Sequence, residues 1–191
     1  MACRSAPREL SALPVMARVL LLGPASSIVA LYMTLLGLVL EGAGRPAGDV
    51  ALYAAGLAGL EVPFMLMLPR VLARVSQTRV IAAGTALYCC HLALLAPVAA
   101  TPFVWLLLLP GAMGGAAILT QPIAYLQELL ADRPGAGASL MALQKIAGDG
   151  VTVLCFVLGT ALAGYWLVAL FGAFIALLSM GALLTLERHK P

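Results

Sequence analysis

The stretch from Trp166 to Leu186, WLVALFGAFIALLSMGALLTL, runs for 21 residues without an ionisable side chain. An α-helix rises about 1.5 Å per residue, so a run of this length reaches across the roughly 30 Å hydrocarbon core of a bilayer. Working outward from it, five further apolar runs stand out: about Val15 to Leu40, Val50 to Leu68, Val80 to about Val98, about Phe103 to Leu126, and about Ala138 to Leu162. Each ends at a charged, Pro-containing or Gly-containing break, and the connections between them are too short for an independent soluble domain. The first run is longer than a secretory h-region and leads into no small-residue cleavage site, so it reads as a span. The expected architecture is therefore an all-α integral membrane protein, one domain over residues 1–191 with six transmembrane helices.

Composition points the same way. Hydrophobic residues make up 63% of the 191 and charged ones only 10%, and the mean hydropathy is +1.05. Eleven Lys or Arg and eight Asp or Glu are too few to cover the surface of a water-soluble protein of this size. The formal net charge of +3 forms no basic stripe and no interleaved aromatic platform, so no nucleic-acid partner is expected. The four cysteines have neither a disulfide framework nor zinc-ligand spacing. Cys89, Cys90 and His91 are consecutive and would point about 100° apart on a helix, which excludes convergence on one metal ion. No nucleophile-and-base pattern and no phosphate loop is visible, and no enzyme activity, metal or cofactor is expected.

Basic residues are retained on the cytoplasmic side of a membrane, and here they are lopsided. Arg4, Arg8, Arg18, Arg70, Arg74, Arg79, Arg133, Arg188 and Lys190 fall on one side, Arg45 alone on the other, and Lys145 lies within the fifth span. Both termini are expected to be cytoplasmic, with Trp105, Tyr165 and Trp166 at the outer interface.

Ionisable groups at membrane depth cost about 3 kcal/mol each on insertion scales, so each is a candidate functional residue. Glu61 falls near the middle of span two and Asp149 near the middle of span five. Lys145, beside Gln144, stands four residues before Asp149, a spacing that lets the pair neutralise each other on one helix face. Glu61 has no such local partner and must be protonated, face water, or meet a cation from another helix, with Lys145 the nearest candidate in kind. In span four, Gln121 precedes Pro122, with Tyr125, Gln127 and Glu128 following. The proline removes a backbone hydrogen bond, and Tyr and Gln offer the ring face and amide groups by which neutral polar solutes are held. The candidate substrate-binding or proton-coupling residues are thus Glu61, Gln121, Tyr125, Gln144, Lys145 and Asp149. His91 is expected to hydrogen-bond a neighbouring helix. Gly111 with Gly115, Gly56 with Gly59, and Gly159 with Ala163 recur at helix-packing intervals.

Six spans divide into three plus three, and Glu61 and Asp149 each fall on the second helix of a triplet. The segment Ala58-Gly59-Leu60-Glu61-Val62-Pro63-Phe64-Met65-Leu66 resembles the second helix of the C-terminal half of bacterial sugar efflux transporters of the major facilitator superfamily. Pro122-Ile123-Ala124-Tyr125-Leu126-Gln127-Glu128-Leu129-Leu130, followed by Arg133-Pro134-Gly135, Gly137 and Ser139, is similar to that family's fourth helix and following loop. The likeness covers roughly Leu20 to Leu186. It implies two inverted three-helix repeats, location in a bacterial inner membrane, and proton-coupled antiport of sugars or related small molecules, with Glu61, Gln121, Tyr125 and Lys145 facing a central cavity. Two departures stand against it. The loop Arg70-Val71-Leu72-Ala73-Arg74-Val75-Ser76-Gln77-Thr78-Arg79 lacks the Gly and denser basic run of the superfamily's gating loop, and the family has twelve spans where this chain has six. One half cannot enclose a cavity, so the resemblance requires a homodimer or a second transporter half. The rival expectation is a non-transporting scaffold or assembly subunit, or a truncated transporter fragment. The two are separated by whether Glu61, Gln121 and Tyr125 face a wet cavity or pack against the protein.

Overall fold

The computed structural model describes residues 12–129 and 134–188. Arg4, Arg8, Arg133 and Lys190, four of the basic residues behind the charge asymmetry, and Leu130 of the second resembling segment lie outside the described residues. Those described form six α-helices: α1 (Ala12–Gly42), α2 (Ala47–Leu72), α3 (Gln77–Val98), α4 (Leu108–Leu129), α5 (Pro134–Leu162) and α6 (Tyr165–Arg188). A 3₁₀ turn, Pro102–Leu107, leads into α4. All six spans are long and apolar enough to cross a membrane. This is a six-helix membrane architecture, as composition and run lengths imply.

The helices overrun the apolar runs for physical reasons. Span two is expected to stop at Leu68, yet α2 continues through Pro69 and Arg70 to Leu72. A charge ends hydropathy but not the backbone ladder, and an Arg in the last turn complements the helix dipole. The same holds for α6, which carries on past Leu186 to Arg188. The start of span four differs in kind, because Phe103 lies in the 3₁₀ turn. Pro110 has no N–H for the Leu106 carbonyl, so one α-type bond is missing where the chain winds more tightly.

The helix ends that flank the termini share one side of the slab, where Arg18 Nε of α1 lies 3.3 Å from Glu187 Oε1 of α6. We call this the terminal side. On the opposite side, Gly44 and Gly164 take positive φ values of 80° and 90° in the α1–α2 and α5–α6 turns, a region open to glycine. Arg45 follows Gly44 and clamps the α1–α2 turn to the α3–α4 connection. Its Nε donates to Ala99 O at 2.6 Å, one Nη to Thr101 O at 2.6 Å, and the other pairs with Asp49 at 3.1 Å. The single basic residue opposite the terminal side among the described residues is thus held by two loop carbonyls and by the Asp49 carboxylate in the first turn of α2.

α1, α3, α4 and α6 make the core, with α1 packed on α5 and α6, and α3 on α4 and α6. α2 lies against α4, and α5 against α1 and α6, each with a broad apolar face left uncovered: Leu52, Leu66 and Met67 on α2, and Ile146, Val153, Val157 and Leu162 on α5. Close approach depends on small residues. At the α1–α5 crossing a side chain on Gly148 would strike the Gly23 carbonyl and the Ser27 Cβ, and at the α3–α4 crossing one on Gly114 would strike the Gly84 carbonyl.

Candidate functional site

Three of the six expected residues meet at one place. Gln144, Lys145 and Asp149 of α5 line a pocket of about 290 Å³ that opens between α1, α4 and α5, facing Ser26 and Ser27 of α1 and Pro122 of α4. The Gly23–Gly148 crossing brings α1 and α5 close enough for Gln144 Nε2 to donate to Ser26 Oγ at 2.6 Å. One residue further on, Lys145 Nζ donates to both carboxylate oxygens of Asp149, at 2.9 and 3.2 Å. The expected intrahelical pair is therefore formed. It is also open: the two side chains are 72% and 48% exposed although they stand in the body of a membrane-crossing helix. Across the pocket, Pro122 has no N–H to offer the Ile118 carbonyl, and both residues line the opening. The wall thus holds a cation, an anion, an amide and two hydroxyls on an apolar background, the composition of a small-molecule site at the lower end of the usual size range.

Glu61 is placed elsewhere. Tyr53, Leu57, Glu61, Phe64 and Leu68 recur every three or four residues, and Tyr53, Leu57 and Leu68 are buried, so Glu61 stands in the register of the face that α2 turns to α4. Leu57 touches Gly111, and the Glu61 carboxyl lies directly over Gly115 with the edge of the Tyr88 ring beside it. The packing roles read for Gly111 and Gly115 hold, and Gly56 and Gly159 likewise meet Leu108 and Val168, whereas Gly59 faces open space. Lys145 is engaged by Asp149, and among the described residues no cation stands within ion-pair distance of Glu61.

Gln121 and Tyr125 belong to the packed interior. Gln121 is 6% exposed and lies against Gln77 at the start of α3, its own amide donating to Thr120 Oγ1 at 3.1 Å. With its amide oriented to satisfy both ends, Gln77 donates to Glu128 Oε2 at 3.3 Å and accepts from the Tyr125 backbone N–H at 3.1 Å. The Tyr125 hydroxyl donates to Glu187 Oε1 at 2.7 Å, the oxygen that Arg18 also approaches, so α1, α4 and α6 are tied at the terminal side.

Two features escaped the sequence reading. Ser26 completes the polar wall of the pocket, and a Ser pair following Gly23-Pro24 inside an apolar run was the available signal. The second is a ring of Tyr32, Tyr53 and Tyr88 around His91, whose members come from three helices and lie too far apart in the sequence to be read as a group. His91 does bond a neighbouring segment, through Nδ1 and Leu107 O at 2.8 Å. Among the described residues no cluster of His, Cys, Asp or Glu suited to a metal ion is present. No family model, no curated protein and no solved structure matches the chain.

Proposed function

We propose that the chain is one half of a membrane transporter for a small polar solute, completed by a second copy of itself. The observation that carries this reading is the Gln144–Lys145–Asp149 wall, which stands at mid-span on a pocket left open by the described residues. Hydrocarbon solvates an ion pair poorly, so an exposed pair at this depth calls for water or protein opposite it. A twofold axis along the membrane normal, running past the uncovered face of α5, supplies both, because the partner pocket then faces this one across a shared cavity.

The pattern of helix neighbours supports two interleaved triplets. Exchanging α1 with α4, α2 with α5 and α3 with α6 turns the α1–α5 contact into α4–α2, turns α1–α6 into α4–α3, and leaves α3–α6 in place. The exchange fails for α5–α6, which pack closely where α2 and α3 scarcely touch, and for α1–α3, which has no comparable α4–α6 packing among the described residues. The matched pairs, α1–α5 with α4–α2 and α1–α6 with α4–α3, support an inverted three-plus-three repeat of the major facilitator kind. With it come the proposals of proton-coupled antiport, sugar-like substrates, a bacterial inner membrane and cytoplasmic termini.

A second reading has its own observation. Gln121 and Tyr125 are packed against protein and do not face a cavity, as a non-transporting scaffold or assembly subunit would have them. Flux separates the two. In proteoliposomes with an imposed pH gradient, a panel of mono- and disaccharides and cationic dyes is expected to include a solute whose movement is coupled to protons and is lost in Gln144→Ala and Lys145→Met. A panel in which nothing moves above protein-free vesicles favours the scaffold.

A further inference from the structure

On the side of the bundle opposite the terminal one, Tyr32 of α1, Tyr53 of α2 and Tyr88 and His91 of α3 close around one another. Ring centroids lie 5.0 Å apart for Tyr32 and His91, 5.5 Å for Tyr88 and His91, 6.2 Å for Tyr53 and His91, and 5.7 Å for Tyr32 and Tyr88. Trp105 covers the group, 5.6 Å from Tyr53. All four side chains are fully buried, yet the three hydroxyls and His91 Nε2 have no protein partner. Four such groups in one spot are unusual, since buried polar atoms are nearly always satisfied and each orphan in hydrocarbon surroundings costs about 1–3 kcal/mol. The histidine has a defined role in the group. Leu107 O can only accept, so Nδ1 carries the hydrogen and Nε2 of the neutral ring is a lone-pair acceptor without a protein donor, among rings whose hydroxyls can donate. At the rim stands Glu61, its carboxyl between Gly115 and the Tyr88 ring.

We propose that Glu61, Tyr32, Tyr53, Tyr88 and His91 form a water-bridged proton relay inside the bundle, with Glu61 as the exchanging carboxyl and His91 Nε2 as the internal acceptor. A protonated Glu61 loses its O–H hydrogen, and each bridging water or tyrosine hydroxyl accepts one hydrogen and passes on another. His91 Nε2 gains the N–H. Glu61 is left anionic and His91 cationic, with Nδ1–H still on Leu107 O, and the tyrosines end as they began. The Tyr88 ring of α3 stands beside the Glu61 carboxyl and α4 presents Gly115 to it, while Tyr32, Tyr53 and His91 follow Tyr88 in the aromatic group. Lys145 and Asp149, bound to each other at the pocket, form no ion pair with Glu61. The relay rests on the transport reading only for its purpose, as the proton route of a coupled carrier; its existence is a separate matter.

The test uses the full chain, labelled with ¹⁵N-histidine, in lipid nanodiscs. The sequence has two histidines, His91 and His189, which His91→Gln distinguishes. The His91 Nε2 resonance is expected to shift in Tyr32→Phe, in Tyr88→Phe and in Glu61→Gln, and to stay put in Asp149→Asn. Each Tyr→Phe variant is also expected to lower the unfolding midpoint, because it removes a hydroxyl that the relay keeps bonded to water. Midpoints that rise, or an Nε2 signal indifferent to both tyrosines or to Glu61, overturn the relay. A shifting signal in a protein that moves no solute keeps the relay and removes the transport reading.

Discussion

The two polar regions of the bundle solve the same problem in opposite ways. At the α5 pocket the groups are charged, satisfied by each other and left open; in the tyrosine–histidine ring they are neutral, sealed and, apart from His91 Nδ1, unsatisfied by protein. Burial is costly for charge unless it is paired, and even a paired charge stays near a polar medium, whereas a phenol or imidazole can enter the core if something accepts its hydrogen. The difference teaches that the pocket is open to an outside partner while the ring, unsatisfied by protein, is closed to anything larger than water.

The largest effect expected is at the crossing that builds the pocket. Gly148→Val places carbon where the Gly23 carbonyl and Ser27 already stand, and should cost about 3 kcal/mol in reversible unfolding from mixed micelles, or abolish folding. The comparison breaks if this variant is as stable as wild type, since the pocket wall would then be deformable. Next comes a satisfied hydroxyl, used as a yardstick for the ring. Tyr125→Phe removes the 2.7 Å bond to Glu187 and should cost about 1.5 kcal/mol. Tyr88→Phe should cost somewhat less, about 1 kcal/mol, if water accepts its hydrogen; a stabilised variant would show a dry ring. The smallest effect is expected at the exposed pair. Lys145→Met should change stability by only about 0.5 kcal/mol if the pocket is wet. A loss of about 2 kcal/mol or more would place Asp149 against lipid and remove the distinction between the two regions.

Much of this architecture was legible in the sequence. Six apolar runs gave six helices, because span length is set by the bilayer and hydropathy measures it directly. Ends were blurred where Arg70 and Arg188 continue a helix that hydropathy had closed. The i, i+4 pairing of Lys145 and Asp149 is local and followed from spacing alone. Partners across helices were not accessible in that way. Nothing in one span says that Gln121 will meet Gln77, that Tyr125 will meet Glu187, or that Glu61 will rest on a glycine of α4, because helix rotation and neighbour choice are fixed by small-residue contacts distributed over the whole chain. A partial trace of Glu61's placement does exist in the Tyr53–Leu57–Glu61–Phe64–Leu68 stripe, which puts the acid on the packed side of α2.

The half-transporter reading stands or falls with what covers the pocket. Native mass spectrometry of the protein released from lipid nanodiscs reads this directly. The expected result is a dimer of twice the chain mass, with the dimer fraction reduced by a bulky polar substitution on the uncovered face of α5, such as Val153→Gln. A strictly monomeric protein in native-like lipid would contradict it, because the Gln144–Lys145–Asp149 wall would then face the bilayer with no second copy to close it.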